Sequence, residues 1–305
     1  MVVTHGSLAR AAAPCALTVG NFDGVHRGHR AMLARLVGTA RALRLSPCAL
    51  TFEPHPREFF SPLTAPARLT RLREKAELLS EIGIERLHVA RFDAALVALS
   101  AERFVEDFLL RGLGARWLLA GRDFRFGARR AGDFALLEHL AARHGFQLEA
   151  MPDVTLDGAR VSSSAIRKAL QAGDLRRAET LLARPYAMSG RVAHGEKLGR
   201  SLGFPTANII LRRAPPIAGI FAVEVDGLGK GVASVGVRPT VRELDMPLLE
   251  VYLFDWPGGE LYGRHLRVRF LEKLRDEQKF DGLAALTAAI ARDVAQAKEY
   301  FASHA

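Results

Sequence analysis

The stretch Gly20–His29, GNFDGVHRGH, decides the fold of the first half of the chain. Upstream of it, Ala16–Phe22 predicts a buried strand, and downstream the apolar residues of Arg27–Leu45 recur at helical spacing. Another apolar run, Cys48–Phe52, completes a strand–helix–strand unit. A glycine-rich turn between strand and helix is where open parallel sheets bind ligands, because the N–H groups of the new helix can face a phosphate.

The same alternation of strands and helices continues to about residue 154. Further strands are predicted over Arg86–Phe92, Arg116–Ala120 and Phe146–Met151, and two more helices begin at the N-cap residues Ser100 and Asp133. This order predicts a parallel sheet wrapped by helices, which is a Rossmann-like α/β domain.

The periodicity changes after Val161. The triplet Ser162–Ser164 offers N-caps for two short helices, which are separated by Gly173–Asp174 and end near Pro185. Beyond them, short strands alternate apolar and polar residues and predict a small antiparallel barrel, covered by an apolar helix over Leu283–Phe301. The predicted divisions are an N-terminal extension (1–15), an α/β domain (16–160), a helical linker (161–184) and a β domain (185–305).

Composition and charge limit the classes of function. The 305 residues exceed the usual size of one hydrophobic core, and 49% hydrophobic with 25% charged residues is typical of globular proteins. A net charge of +10 would attract any polyanion. Because the arginines are spread along the chain, we favour small phosphate ligands over nucleic acid.

Cysteine usage and hydropathy predict the compartment. Cys15 and Cys48 are the only cysteines, which suits a reducing cytoplasm and argues against a zinc site. No run approaches the roughly 18 to 20 apolar residues that a membrane span needs. We therefore expect a cytoplasmic protein without a membrane partner.

The two histidines of the glycine-rich turn are candidate phosphate ligands. His26 and His29, three residues apart, can point the same way and donate hydrogen bonds to phosphate oxygens. Gly24 and Gly28 would let the backbone approach the phosphate closely. The alternatives are a metal pair, for which further ligands are lacking nearby, and two ordinary surface histidines.

The Gly20–His29 stretch resembles the HxGH signature of nucleotidylyltransferases, in the form found in FAD synthetases. The segments Thr51–Pro56, Gly121–Asp133 and Val161–Arg167 resemble the same family. This resemblance implies transfer of an adenylyl group from ATP to FMN. It implies catalytic roles for His26 and His29, ATP or phosphate binding by Gly20, Phe22, Asp23, Gly24, Gly28, Ser164 and Arg167, and contacts with FMN or adenosine by His55, Pro56, Asp123 and Phe124.

Some of these residues have ordinary alternative explanations. Without the resemblance, Arg167 would be an exposed arginine at a helix start, and His55–Pro56 a rigid surface turn. Phe124 and Phe126 are as well explained by core packing.

A second phosphate site is predicted in the β domain, although the chain has no GxxxxGK[ST] sequence. The segment Gly190–Arg200 is rich in glycine and is followed by Gly203–Asn208, GFPTAN. Thr206 and Asn208 are hard oxygen donors suited to Mg²⁺ and nucleotide, although a hairpin turn with local caps is the alternative. Close backbone approach to phosphates is predicted at Gly195, Gly199 and Gly203.

The GFPTAN run resembles the signature of riboflavin kinases, and Gly236–Thr240 and Glu250–Asp255 resemble the same family. This resemblance implies a six-stranded barrel in which Thr206 and Asn208 bind ATP and Mg²⁺. It also implies that Glu250 is the general base for the ribityl hydroxyl and that Arg275 lies on the flavin side. Taken from its pattern alone, Glu250 would be an ordinary solvent-facing strand carboxylate.

Together the resemblances extend from Leu17 to Phe301 and imply a bifunctional enzyme that phosphorylates riboflavin to FMN and adenylylates FMN to FAD. They imply riboflavin, FMN and ATP as substrates and Mg²⁺ as cofactor. We expect no nucleic-acid partner, and weak self-association stays open. Two alternatives stay open: a chain in which one domain alone is active, and a basic RNA-binding protein that uses the +10 charge.

Overall fold

A computed structural model describes residues 1–6, 13–194, 199, 202–237 and 246–304. The chain divides into two units. The first contains Met1–Pro66 and Thr70–Ser162, and the second contains Ala67–Leu69 and the segment from Ser163 to the C terminus.

The first unit is built on a six-stranded parallel sheet in the order β1-β4-β3-β2-β5-β6. The strand β2 lies at its centre, where Leu17 pairs with Cys48 on one side and Leu118 on the other. The strands are β1 (Val2–His5), β2 (Cys15–Val19), β3 (Ser46–Glu53), β4 (Arg86–Arg91), β5 (Ala115–Gly121) and β6 (Gln147–Met151), and a separate hairpin is formed by β7 (Thr155–Leu156) and β8 (Ala159–Arg160).

Helices connect these strands, and two predicted N-caps are confirmed. The side chain of Ser100 accepts a hydrogen bond from the N–H of Arg103, and Asp133 accepts one from Leu136. Most of the helix after Ser100 is a π-helix rather than the α-helix expected from its sequence. The helices are α1 (Arg27–Leu43), α2 (Pro56–Phe60), α3 (Leu72–Ile82), α4 (Ala94–Val97), α5 (Ala101–Arg103), the π-helix Phe104–Gly112, the 3-10 turn Ala128–Arg130 and α6 (Phe134–His144).

Successive side chains of a strand point to opposite faces of a sheet. Helices cover both faces of this sheet, so both sets of side chains are buried. In β5, Trp117 packs with Leu33 of α1 and Leu78 of α3. Its neighbour Leu118 belongs to the opposite core, which contains Leu109 of the π-helix. The predicted Rossmann-like arrangement is therefore confirmed.

Several elements of the first unit were not predicted, among them β1 and α3. The strand β1 pairs in parallel with β4, and the Oγ1 atom of Thr4 lies 2.8 Å from Nδ1 of His88. Helix α3 lies between β3 and β4 in the chain. Residues 2–5 of the otherwise unexplained N-terminal extension thus contribute a strand to the sheet.

The second unit is a closed antiparallel barrel of six strands, in the order β10-β13-β12-β11-β14-β9. The final helix covers part of it, and none of the described helices is both long and apolar enough to cross a membrane. The elements are α7 (Ser163–Gln171), α8 (Leu175–Leu182), β9 (Tyr186–Ala193), β10 (Thr206–Ile210), β11 (Gly219–Val225), β12 (Gly229–Val237), β13 (Pro247–Leu253), β14 (His265–Arg275) and α9 (Leu283–Ser303).

Strand β11 shows how the barrel and α9 share the apolar residues. Phe221 is fully buried and meets Phe270 of β14 edge-on, with ring centroids 5.3 Å apart. The adjacent residue Ala222 points to the other face, where it belongs to a cluster with Ala297 and Phe301 of α9. The predicted barrel and covering helix are confirmed.

A buried ion pair fixes α9 to the end of β14. Nε and Nη2 of Arg275 each donate a hydrogen bond of 2.7 Å to a carboxylate oxygen of Asp293. Only 6% of the Asp293 side chain and 21% of the Arg275 side chain are exposed. Removing one partner of such a pair leaves a buried charge without compensation.

We predict that Asp293→Ala lowers the free energy of unfolding of the second unit by roughly 3 to 5 kcal/mol. The measurement is urea unfolding followed by the fluorescence of Trp256 in a Trp117→Phe background, since these are the two tryptophans of the chain. Arg176→Ala is the matched control, because Arg176 lies 4.0 Å from Glu272 in an exposed pair worth less than about 1 kcal/mol. Equal small losses in both variants would contradict the structural importance of the Arg275–Asp293 pair.

Candidate active sites

The Gly20–His29 turn joins the carboxyl end of β2 to the start of α1. Its backbone enters the left-handed region at Phe22 (φ 46°), Gly24 (φ 85°) and Val25 (φ 40°). Residues other than glycine rarely adopt such backbone angles, and these angles persist only where the surrounding structure fixes them. Phe22 and Val25 are fixed by complete burial in the core, so Phe22 anchors the turn from within.

Thr70 braces this turn through buried hydrogen bonds. The N–H and the hydroxyl of Thr70 donate to the same Oδ1 atom of Asp23, over 3.0 and 3.3 Å. The Thr70 hydroxyl also accepts a hydrogen bond of 3.0 Å from the N–H of Gly24. The carboxylate of Asp23 therefore binds the N–H and the hydroxyl of Thr70 and helps to fix the conformation of the turn. Gly20 is held to β3 by the hydrogen bond that its N–H donates to Leu50 O, 3.0 Å away.

The two histidines lie together at the N-terminus of α1. His26 is the N-cap, and its Nδ1 accepts a hydrogen bond of 3.3 Å from the N–H of His29. The rings of His26 and His29 stack with centroids 3.7 Å apart. A Cβ at Gly28 would lie 3.2 Å from the His26 ring, so a larger residue there would require the ring to shift. Sequence analysis predicted that these side chains lie together, and the structure brings them together.

His29 is electrostatically prepared to be neutral. Burial lowers its pKa well below the usual 6.5, and the charges of His26 and Lys75 lower the pKa further. Its Nδ1 atom is shielded from solvent and has no hydrogen-bond partner among the described residues. A buried nitrogen without a partner is unfavourable unless a ligand satisfies it.

His55 and Pro56 begin the short helix α2. Nδ1 of His55 accepts from the N–H of Arg57 over 3.1 Å, and the N–H of His55 donates to Glu58 over 3.2 Å. These bonds form a capping box with proline at the first helical turn. They orient the His55 ring rigidly at the end of β3.

An aromatic cluster beside His55 was missed by the sequence analysis. Phe59 and Phe60 of α2 meet Phe92 edge-on, with centroid distances of 5.5 and 5.7 Å. Phe60 is 63% exposed, which is unusual for so large an apolar side chain. The adjacent phenylalanines directly after the His-Pro pair were the signal that could have revealed this surface.

Asp123 and Phe124 follow the end of β5. Asp123 is exposed and forms an ion pair with Arg160 of β8, with Oδ2 and Nη2 2.7 Å apart. The ring of Phe124 stacks on buried Phe126 at 5.3 Å and packs against the core. The structure therefore supports the packing explanation for Phe126 and keeps Asp123 at the surface.

Ser164 and Arg167 lie on α7 in the second unit, whereas the Gly20–His29 turn lies in the first. Ser164 is exposed. Arg167 is buried, and its Nε donates a hydrogen bond of 2.6 Å to the carbonyl of Ala67, which belongs to the same unit. Arg167 is thus not an exposed helix-start arginine, and its predicted contact with phosphate stays a prediction.

In the barrel, antiparallel pairing brings the predicted kinase residues together. Asn208 of β10 pairs directly with Glu250 of β13, and Thr206 pairs with Tyr252. Directly paired residues lie on the same face of a sheet with Cβ atoms about 4.5–5.5 Å apart. Asn208 Nδ2 donates a hydrogen bond of 3.4 Å to the carbonyl of Thr206, so the amide oxygen Oδ1 points away from that carbonyl.

The glycine segment before β10 is described in part. Gly203 has a positive φ of 84°, and a Cβ at Gly199 would collide with the carbonyl of Phe204. Phe204 N–H donates a hydrogen bond of 2.7 Å to Gly199 O, which closes the loop just before Thr206. The predicted phosphate residue Gly195 lies outside the described residues.

A second carboxylate lies near Glu250 and was not predicted. Burial raises the pKa of the Glu277 carboxyl, the negative charge of Glu250 raises it further, and Arg275 opposes both effects. A Cβ at Gly236 would overlap the Glu277 carboxylate, so the glycine provides its space. No periodicity in the sequence indicates this contact, because Glu277 lies in the segment after β14.

Arg275 is held by groups of its own unit. Besides its two bonds to Asp293, its Nη1 donates to the carbonyl of Asp276 over 2.9 Å, and its guanidinium lies 5.5 Å from the Phe280 ring centroid. The guanidinium thereby fixes the start of the segment that carries Glu277. Its predicted contact with the flavin stays a prediction.

Comparison with protein families assigns each unit to a known type. The FAD synthetase model matches residues 8–165, and the riboflavin kinase model matches residues 182–301.

Several relatives match nearly the whole chain. The bifunctional riboflavin kinase/FMN adenylyltransferase of Escherichia coli K12 is 48% identical over 292 residues, which cover 94% of this chain and 93% of the relative. The Pseudomonas fluorescens enzyme of the same name is 50% identical, covering 93% and 92%. The crystal structure of a macrolide-efflux protein from Streptococcus pneumoniae superimposes with a TM-score of 0.79 at 26% identity, over 96% of this chain and 97% of that one. With both family models and these relatives in agreement, the chain belongs to the bifunctional riboflavin kinase/FMN adenylyltransferase family.

Proposed function

We propose that the chain performs both reactions of its family in succession, phosphorylating riboflavin to FMN and then adenylylating FMN to FAD, with ATP as the donor in each step. The observation that carries the proposal is that each unit assembles the polar residues that its reaction needs. His26 and His29 stack at a helix N-terminus in the first unit, and Asn208 pairs with Glu250 in the second.

Adenylyl transfer requires positioning and charge neutralisation rather than a base. A phosphate oxygen of FMN attacks the α-phosphorus of ATP, the bond from that phosphorus to the α–β bridging oxygen breaks, and pyrophosphate leaves. The attacking oxygen is already anionic, so no proton has to be removed. His26, whose Nδ1 accepts from the N–H of His29, has its ring hydrogen on Nε2 and can donate a hydrogen bond to a phosphate oxygen. The N-terminus of α1 adds its positive dipole end.

We assign the flavin ring of FMN to the cluster of Phe59, Phe60 and Phe92. Exposed aromatic faces beside a rigidly capped His55 provide a stacking surface next to the site of reaction. Asp123 and Phe124, which follow the end of β5, remain our candidates for residues that contact FMN or adenosine.

Riboflavin phosphorylation does require a base, because a neutral hydroxyl must lose its proton. Glu250 accepts the proton of the terminal ribityl hydroxyl while that oxygen attacks the γ-phosphorus of ATP. The bond from the γ-phosphorus to the β–γ bridging oxygen breaks and ADP leaves. The adjacent Asn208 and Thr206 orient the phosphates of ATP.

The donor set of β10 fits Mg²⁺ bound mainly by the nucleotide. Thr206 and Asn208 would hold the ion through a hydroxyl and an amide oxygen, which are hard ligands. The described residues contain no cluster of three or more His, Cys, Asp or Glu side chains that could hold a metal. When bound, Mg²⁺ would neutralise charge on the phosphates, and most of its remaining ligands would be phosphate oxygens and water.

We place both reactions in the cytoplasm and expect no nucleic-acid partner. Cys15 and Cys48 are buried free thiols, which suits a reducing compartment. Some exposed arginines are paired with carboxylates, as in Arg35–Glu149 and Arg103–Asp107, so part of the positive charge is compensated locally.

The test of the proposed function is a time course with riboflavin, ATP and Mg²⁺, in which the flavins are separated by HPLC. FMN should appear first and FAD later. Formation of FMN without FAD, including from added FMN, would contradict the adenylyltransferase assignment.

We predict that His29→Ala lowers kcat for FAD formation by about 10²- to 10³-fold, the usual effect of removing a donor from a transition-state phosphate site. Riboflavin phosphorylation in the same preparation should stay near normal. His139→Ala is the matched control, since His139 is exposed on α6 of the same unit. Equal loss of both activities in a folded variant would contradict the assignment.

We predict that Glu250→Gln lowers kcat for riboflavin phosphorylation by roughly 10²- to 10⁴-fold, because the amide cannot accept the hydroxyl proton. The nearly isosteric change keeps the strand, so conversion of added FMN to FAD should persist. Glu224→Gln is the control, as Glu224 is another barrel carboxylate and pairs with Arg269 at 3.3 Å. A Glu250→Gln kinase within about threefold of the parent would mean that the base lies elsewhere.

A further inference from the structure

Helix α3 carries a buried lysine to which the proposed reaction has so far given no role. Lys75 is only 4% exposed, and its Nζ donates a hydrogen bond of 3.3 Å to Oγ1 of Thr51. Lysine is seldom buried, because its ammonium loses hydration unless the surroundings compensate. Such a charge at the edge of a ligand site is a candidate functional group.

The bond from Lys75 continues into the phosphate-binding turn. Oγ1 of Thr51 donates to the carbonyl of Asn21, 3.3 Å away, and Asn21 belongs to the Gly20–His29 turn. A hydroxyl has one hydrogen to donate, and an ammonium can only donate. Lys75 therefore fixes the rotation of the Thr51 hydroxyl so that its hydrogen is directed to Asn21.

The ammonium also acts on the catalytic histidine. The charge of Lys75 contributes, after burial and the charge of His26, to the lowered pKa of His29. Coulombic effects between groups in a partly buried site extend over several ångströms, so the charge of Lys75 would also act on a triphosphate bound at His29. A positive charge that disfavours a protonated histidine favours the negative charges of a triphosphate.

We propose that Lys75 is a positioning residue for adenylyl transfer, which holds the Gly20–His29 turn through Thr51 and keeps a fixed positive charge beneath it for the phosphates of ATP. This inference rests on the proposed adenylyltransferase function. A preoriented charge needs no rearrangement when negative charge moves from the α-phosphorus to the departing pyrophosphate.

The experiment separates this role from a merely structural one with three variants of the full chain. Lys75→Met keeps much of the side-chain volume and removes the charge, and Lys75→Arg keeps the charge. Leu78→Ala is the control for weakening α3, because Leu78 is buried in the core on the same helix.

Lys75→Met should lower kcat/KM for ATP in FAD formation by about 10- to 100-fold, the range expected for a misplaced reacting group. Lys75→Arg should recover most of this loss. Riboflavin phosphorylation, measured in the same preparation, should be unchanged in all three variants.

The pH profile of FAD formation provides a readout that loss of stability would not move. Besides burial, the neighbouring groups that lower the pKa of His29 are His26 of its own turn and Lys75 of α3. Removing the Lys75 charge raises the pKa of His29, so the acid limb of the profile should move to higher pH in Lys75→Met. The limb should stay in place in Lys75→Arg and Leu78→Ala.

Thr51→Val separates the two parts of the role and serves if Lys75→Met does not fold. It breaks the link to Asn21 while the charge remains, so kcat should fall without a shift of the acid limb. Unchanged FAD formation in Thr51→Val and Lys75→Met, or an identical loss in Lys75→Met and Leu78→Ala without a pH shift, would overturn the inference. A parent chain that forms no FAD would instead contradict the proposed function itself.

Discussion

The hydroxyl of Thr70 bonds to two residues of the Gly20–His29 turn: it accepts a hydrogen bond from the N–H of Gly24 and donates one to the carboxylate of Asp23. Buried polar groups require partners, and a turn with Phe22 and Val25 at positive φ needs external support to persist. Thr70 provides this support and lies just before the start of α3 at Leu72. The segment between β3 and β4 therefore supports the proposed adenylyl-transfer site, because Thr70 helps to fix the turn in which β2 passes into α1 and which carries the two histidines.

The barrel meets the same requirement through strand register. Glu250 pairs with Asn208 on one side and with Ser234 on the other, while its neighbours Leu249 and Val251 fill the barrel interior. A slip of one residue would turn a carboxylate into the core and two apolar residues outward. Burial of the leucine and the valine thus holds the proposed base beside the proposed phosphate ligands, and the kinase site follows from the hydrophobic pattern of β13.

The sequence predicts those features that depend on local patterns. Asp133 was recognised as an N-cap and the strand–turn–helix unit was found, since caps and periodicity are encoded within a few residues. Contacts between distant segments were missed because no pattern within a few residues encodes them. Strand β1 becomes evident only by its pairing with β4, and the roles of Thr70 and Lys75 depend on how α3 packs. Residue type alone also leaves open whether an arginine such as Arg275 faces a ligand or a buried aspartate.

The two proposed reactions differ in whether the nucleophile carries a proton, and the local charges follow this difference. In the first unit the FMN phosphate is already anionic, so a neutral His29 and the cation of Lys75 would stabilise it, as proposed, without removing a proton. In the barrel the hydroxyl must be deprotonated, and Glu250 lies close enough to Glu277 for its charge to raise the pKa of that carboxyl. The Glu250 charge that acts on Glu277 disappears when Glu250 takes the hydroxyl proton, so the protonation of the two carboxyl groups is linked during the proposed phosphoryl transfer.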